Sequence, residues 1–323
     1  MSDISVHFHL ARPAAVLRAT GPDAFTFLQS QFSNDLRPAL PSRAVTYGLW
    51  LDRKGKIQAD SFILPQGDND FLLISYHSPV ARVRAHLEAH LIADEVELTD
   101  RTGDFSLVQF YARPTQSRGD IRDYQSSPIA EKQATERLLS LLPAGLVYWP
   151  GRWSGTMFSR DGFGPAAEVA NLALPMKYQP IAEGAEFIEK SRIMSGVPSI
   201  PVDAGPGDLP QEAGLDRDAV AFNKGCYLGQ EVMARIQSQG QVNRALWRVM
   251  IKGGNTDLPA IGPLPVYAGE VPAGELRSRQ GEFGLAMLKK KIIAGREGLS
   301  LTPNGEEVIR LTGNEFSKDL TQP

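Results

Sequence analysis

Cys226 is the only cysteine in a chain of 323 residues. It stands in the densest group of chemically able side chains, Asn223-Lys224-Gly225-Cys226-Tyr227-Leu228-Gly229-Gln230-Glu231. A lone thiol cannot close an internal disulfide. Nor can it build a zinc or iron–sulfur site alone, since these take three or four protein ligands. It can act as a nucleophile, or as one ligand in a group shared with another molecule. Lys224 lies two residues away and a helical pattern starts near Glu231, and a cation and a helix N-terminus both favour the thiolate form. Gly225 and Gly229 admit sharp turns or the close approach of a ligand. A lone cysteine is otherwise most often a small buried hydrophobe, so the residues alone leave both readings open.

Other candidates are weaker. Gln211-Glu212 places an amide beside a carboxylate, a pair able to read the donor edge of a pterin or purine. Asn34-Asp35 could serve the same pocket or simply cap a turn. His86 and His90 stand four apart on a predicted helix over 80–92, but HLEAH lacks the glutamate placement of a metalloprotease helix, so both are expected at solvated positions. Gly162-Phe163-Gly164 and Gly205-Pro206-Gly207 are too short to cradle phosphate, no Walker-type sequence occurs, and no Ser/His/Asp set announces itself.

These groups must be held by ordinary globular structure. The chain is 42% hydrophobic and 22% charged, with 34 basic and 37 acidic side chains and a net charge of -3. Such a balance gives no global field for nucleic acid, and no run approaches the roughly 18 apolar residues of a membrane span. With no signal-like start and no cysteine framework, a soluble cytoplasmic protein is expected.

Ala15–Ala19 reads as a strand, followed by a helix carrying Phe25, Leu28 and Phe32 on one face. Strands at Tyr47–Leu51 and Ile57–Leu64 flank the turn Asp52–Lys56. A third strand, Phe71–Tyr76, leads to a helix opened by Pro79 with the stripe Val80, Val83, Leu87, Leu91, and Val96–Thr99 closes the unit. That order is ferredoxin-like α+β with a mainly antiparallel sheet. A shorter version of the pattern follows, with strands at Leu107–Tyr111 and Leu146–Trp149 and helices at Ser127–Leu142 and Glu186–Ser195, and no internal sequence repeat is found. Residues 197–214 hold four prolines and read as an extended loop. From Trp247 onward short β-prone runs suit a small barrel or sandwich.

The segment KGCYLGQE at Lys224–Glu231 resembles the signature KGCYxGQE of the YgfZ family of folate-binding, T-protein-like proteins. The likeness continues through GPDAFTFLQSQFSN at Gly21–Asn34, Lys54-Gly55-Lys56, Arg192-Ile193 with Gly196-Val197-Pro198, Leu209-Pro210-Gln211 and Arg244–Trp247. It implies an α+β fold of two interleaved ferredoxin-like subdomains (residues 1–242) and a C-terminal β-barrel (residues 243–323). It also implies an accessory role in assembly or repair of iron–sulfur clusters, including those of tRNA-modifying enzymes. By the same resemblance Cys226 and Lys224 are the reactive groups, with Cys226 a transient shared cluster ligand and no metal held permanently. Asn34, Arg192, Gln211, Glu212 and Tyr227 contact tetrahydrofolate or a derivative. Iron–sulfur client or assembly proteins are the expected partners of a monomer that binds neither nucleic acid nor membrane.

The more distant likeness to the glycine-cleavage T-protein carries an alternative, folate-dependent aminomethyl or one-carbon transfer. The chain departs from these patterns in places. Gln58-Ala59 stands where the T-protein has its aspartate, with Asp60 one or two positions off. Met194 replaces a glutamate, and Ala14 and Ile188 fall where some members carry tryptophan near the folate.

Overall fold

The computed structural model describes residues 4–114, 136, 138–153, 158–172, 174, 178–181, 183–254 and 258–313. The chain divides into two units that alternate along the sequence. One takes the chain up to Pro13 and again Gly103–Val197; the other takes Ala14–Thr102 and Pro198 onward.

In the second unit, Ala15–Thr20, Ile57–Gly67, Asp70–Ser75 and Glu97–Asp100 form the sheet of a ferredoxin-like βαββαβ motif. Thr46–Leu51 is an extra strand on the edge beside Ile57–Gly67. All pairings are antiparallel, with Leu17 opposite Leu73 and Leu49 opposite Asp60. Helices Ala24–Gln31 and Val80–Glu88 pack on one face, where Phe27, Leu28, Val83 and Leu87 meet Leu17, Trp50, Ile63 and Phe71. The stripe Val80, Val83, Leu87, Leu91 is the contact the helical period predicts. The helix itself ends at Glu88, four residues early.

The same unit carries a closed barrel in the order Arg244–Ile251, Phe283–Lys289, Val271–Gln280, Ile261–Ala268, Gly298–Ser300 and Glu307–Gly313. Val249, Val266, Leu276, Leu288, Leu299 and Ile309 fill it. Closure leaves no open sheet edge, which six short strands would otherwise present.

The first unit is a five-stranded sheet in the order Tyr178–Pro180, Ile4–Ala11, Phe105–Pro114, Phe158–Pro165, Val147–Pro150. Ile4–Ala11 pairs antiparallel with Phe105–Pro114 and parallel with Tyr178–Pro180. Val6, Val108 and Phe110 face Leu138 and Val169, the latter on a short helix, Ala166–Ala170. Helix Gly184–Met194 brings Phe187 to stack on Tyr111 at 5.1 Å. Most of the helix expected over Ser127–Leu142 lies outside the described residues. Gly162 and Gly164 belong to strand Phe158–Pro165, where a Cβ on Gly162 would meet the Tyr148 ring at 2.7 Å. No described helix is long and apolar enough to cross a membrane.

One expectation changes. His86 is not a solvated position: its ring lies 6.1 Å from that of Trp50 and its Nε2 is buried without a hydrogen-bond partner. His90 Nδ1 is 2.8 Å from the His86 carbonyl oxygen. Among the described residues no three His, Cys, Asp or Glu side chains gather as a metal group. Burial lowers the His86 pKa from 6.5 to about 4. Above pH 6.5 the ring is neutral folded and unfolded. As pH falls from 6.5 to 4 only the unfolded chain takes up the proton, and stability is lost. His86→Leu should remove on the order of 3 kcal/mol of that loss. Urea melts at pH 7 and pH 4.5 should therefore differ less in the variant than in the wild type; equal differences would refute the assignment.

Candidate functional site

The Cys226 loop is built against the C-terminal end of helix Ala24–Gln31. That helix is followed by Phe32-Ser33-Asn34, with no glycine to turn back and cover its last carbonyls. The covering comes from far along the chain. Lys224 Nζ donates to the carbonyl oxygens of Gln29 (2.7 Å), Phe32 (2.6 Å) and Asn34 (2.9 Å). Leu228 N donates to Ser30 O, and Ala221 N to Ser33 O. Ser33 Oγ donates to Ala219 O, and Asn34 Nδ2 reaches Asp218 O and Tyr47 O. Residues 218–228 are thus laced to residues 29–34.

Lys224 is 6% exposed. Burial pushes its ammonium down to about 8, so it stays charged at neutral pH. All three of its donors are met by carbonyls, two of them just beyond a helix end whose dipole favours a cation. The Tyr227 ring adds a face 5.0 Å from Nζ. Lys224, expected among the catalytic groups, thus has all three of its donors engaged by backbone carbonyls. Cys226, two residues on, is exposed; the reading of it as a buried hydrophobe falls.

The far side of the loop rests on the turn Asp52–Lys56. Gly229 has φ +83, and a Cβ there would sit 2.7 Å from Asp52 O and 3.1 Å from Gly55 Cα. Gly55, with φ +69, lies in turn against Val232 and Met233 of helix Gln230–Gln239. A side chain at Gly229 would stand between its backbone and the turn, and one at Gly55 would run into Met233 and Val232.

The other expected residues are placed as follows. Glu212 accepts from Leu209 N and binds Arg244 through both oxygens, at 3.0 and 2.9 Å. Arg244 Nη2 also reaches Asp208 Oδ1, and Ile57 N donates to Asp208 O. Ser278 Oγ donates to Asp203 Oδ1. The proline-rich loop therefore ties the sheet to the barrel, a role with no signature in local sequence. Gln211 Nε2 reaches Met233 Sδ at 3.4 Å. Arg192 belongs to the first unit, where it grips Glu189 and donates to Val197 O. Asn34, Lys224, Cys226 and Tyr227 thus come together, Glu212 serves the barrel junction, and Arg192 is held within the other unit.

Of the residues expected to hold folate, Asn34, Arg192 and Glu212 have their polar atoms committed within the protein. Gln211 Oε1 and the Tyr227 hydroxyl remain buried without a hydrogen-bond partner, so each has hydrogen-bonding capacity that the protein does not meet. The aspartate near the T-protein position, Asp60, is buried. It accepts from Ser78 Oγ at 2.6 Å and from Tyr47 OH at 3.1 Å. Those donors hold the carboxylate as an acceptor inside the sheet, which disfavours work as a base.

Two substitutions test this construction. Lys224→Met keeps the buried stem but leaves three carbonyls unanswered, and should cost about 3 kcal/mol or more in urea unfolding. Gly229→Ala should cost about 2 kcal/mol or more through strain at positive φ and the clash with Asp52. A loss below about 0.5 kcal/mol in either would show that the loop is not held as described.

The family model of the GCVT N-terminal domain matches residues 13–111. The Mus musculus protein named "Iron-sulfur cluster assembly factor IBA57, mitochondrial" is 28% identical over 304 residues, covering 87% of this chain and 77% of its own. Its homologue from Neosartorya fischeri is 25% identical over 361 residues, covering 95% and 76%. The Homo sapiens protein is 36% identical over 110 residues, 32% of this chain and 30% of that one. Among solved structures, the glycine cleavage system aminomethyltransferase T from Bartonella henselae superposes with a TM-score of 0.66 at 15% identity, over 97% of this chain and 86% of that one. That likeness shows the fold. The cytoplasmic location expected from sequence is overturned by the relatives, which are mitochondrial proteins by name. Residues 13–111 thus match the GCVT N-terminal domain family, and over most of its length the chain is similar to proteins named as iron–sulfur cluster assembly factors.

Proposed function

We propose that this protein supports iron–sulfur cluster assembly, and that it does so through Cys226 as a transient ligand shared with another protein. The observation that carries the reading is the placement of the only thiol: exposed, on a loop fixed by Lys224 to the end of a core helix. The names of the relatives support the process. Their chemistry fits the thiol count, because a cluster normally takes four protein ligands and this chain supplies one cysteine. The remaining ligands belong to a client or assembly partner. A fixed loop lowers the ordering cost of presenting the thiol to that partner.

Gln211 and Tyr227 are the residues that would hold a reduced folate, which supplies one-carbon carriage when bound. The part played by Cys226 is independent of it. Aminomethyl transfer is not favoured, because Asp60 is engaged by Ser78 and Tyr47.

In cells lacking the endogenous protein, Cys226→Ala should fold normally and reduce the activity of a cluster-dependent enzyme, such as a tRNA methylthiolase, to the level of the empty vector. Full support by the alanine variant would refute the reading. Tetrahydrofolate at micromolar concentration should quench tryptophan fluorescence saturably, and Gln211→Leu should weaken that binding; no quenching would remove folate from the proposal.

A further inference from the structure

We infer that the cationic turn Asp52–Lys56 is a docking surface for an acidic protein partner, set beside the Cys226 loop. The inference rests on the reading of Cys226 as the working thiol. Within four residues the turn carries Arg53, Lys54 and Lys56. Arg53 and Lys54 are exposed, Lys56 is half-buried, and none of the three pairs with an acid among the described residues.

Several cations elsewhere are paired. Arg18 is held by Asp70, Arg37 by Asp35, Arg244 by Glu212 and Lys252 by Glu306. The one carboxylate in the turn, Asp52, is directed inward: its Oδ1 accepts from Lys54 N and Lys56 N, at 2.8 and 2.9 Å. Asp52 N also donates to Lys56 O, and Gly55 N to Asp52 O. The cations are therefore displayed on a locked backbone rather than on a floppy loop.

That backbone is seated against Gly229 and against Val232 and Met233, so it shares a base with the loop that carries Cys226. Glu231 is the exposed acid at that edge. With a net charge of -3 the chain has no overall attraction for anions, and any preference for them must be local. Three cations in one turn, without interleaved aromatic side chains, are a poor footing for nucleic acid. A partner that completes the ligand set of a shared cluster is a protein. Its own cysteines would be flanked by aspartate or glutamate.

The test uses thiol–disulfide exchange, in which the full-length protein has a single possible site of attack. Synthetic peptides carry one cysteine activated as a mixed disulfide with thionitrobenzoate and flanked by glutamates, serines or lysines. The Cys226 thiolate attacks the peptide sulfur, the new protein–peptide disulfide forms, and the thionitrobenzoate anion leaves with the bonding pair, giving a coloured product. At low ionic strength the glutamate peptide should react at least about tenfold faster than the lysine peptide. That advantage should fall to within about twofold near 1 M salt. The same fall should appear in the triple variant Arg53→Gln, Lys54→Gln, Lys56→Gln, while the serine peptide keeps its rate.

A wild-type protein with no charge preference overturns the docking surface and leaves the thiol reading standing. So does a preference that survives in a triple variant with an unchanged serine-peptide rate. A variant that slows all peptides alike is damaged, and the salt dependence of the wild type then decides. Failure of Cys226 to react with any peptide overturns the thiol reading and this inference with it.

Discussion

One buried ammonium group organises the candidate site. Lys224 supplies three hydrogens to three carbonyls at the end of helix Ala24–Gln31, and those carbonyls have no donor from their own neighbourhood. Desolvating a cation is unfavourable, and it is tolerated here because every donor is met and the helix end carries partial negative charge. The arrangement works in both directions. The helix gains its missing cap, and the loop that presents Cys226 gains a fixed floor. The Gly229–Gly55 contact closes the other side, leaving the thiol on a short segment held at both ends.

A second polar junction carries the rest of the unit. Asp203, Asp208 and Glu212 all lie on the proline-rich segment between the two halves of the chain. They reach Ser278 and Arg244 of the barrel, while the Asp208 carbonyl receives Ile57 N from the sheet. Hydrogen bonding to Glu212 raises the Arg244 pKa further above its ordinary value, as expected for a cation gripped by two carboxylates. Sheet, loop and barrel are joined by directional bonds as well as by apolar packing.

The legible parts of this fold are those whose partners are close in sequence. The stripe Val80, Val83, Leu87, Leu91 and the hairpin through Asp52–Lys56 follow from local period and turn chemistry. Strand Ile4–Ala11 carries a local strand signal, Ile4, Val6, Phe8 and Leu10 alternating with Ser5, His7 and His9, whereas its pairing with the antiparallel strand that begins at Phe105 leaves no local trace. Strand Phe158–Pro165 hid behind Gly162 and Gly164, whose reason is room for Tyr148 and Leu146. The thiol loop itself was readable from its residues and its family likeness. The work of Lys224 was not, since proximity in sequence pointed to Cys226 while its actual partners lie about 190 residues earlier. The pairing of Glu212 is equally non-local: its partner Arg244 stands outside the segment that drew attention to it.

The distance along the chain between Lys224 and Asn34 also sets an order of events. A ribosome releases the helix and the sheet long before the loop, and the helix end waits uncapped until residues 218–228 emerge. Joining segments so far apart carries a chain-closure cost of roughly 5 kcal/mol, to be met by contacts already made between them. The last part of this anchor to be synthesised is thus the part that holds the thiol. Exposure of Cys226 in its fixed setting therefore needs residues 218–228 as well as the helix end, and a product truncated before them lacks it.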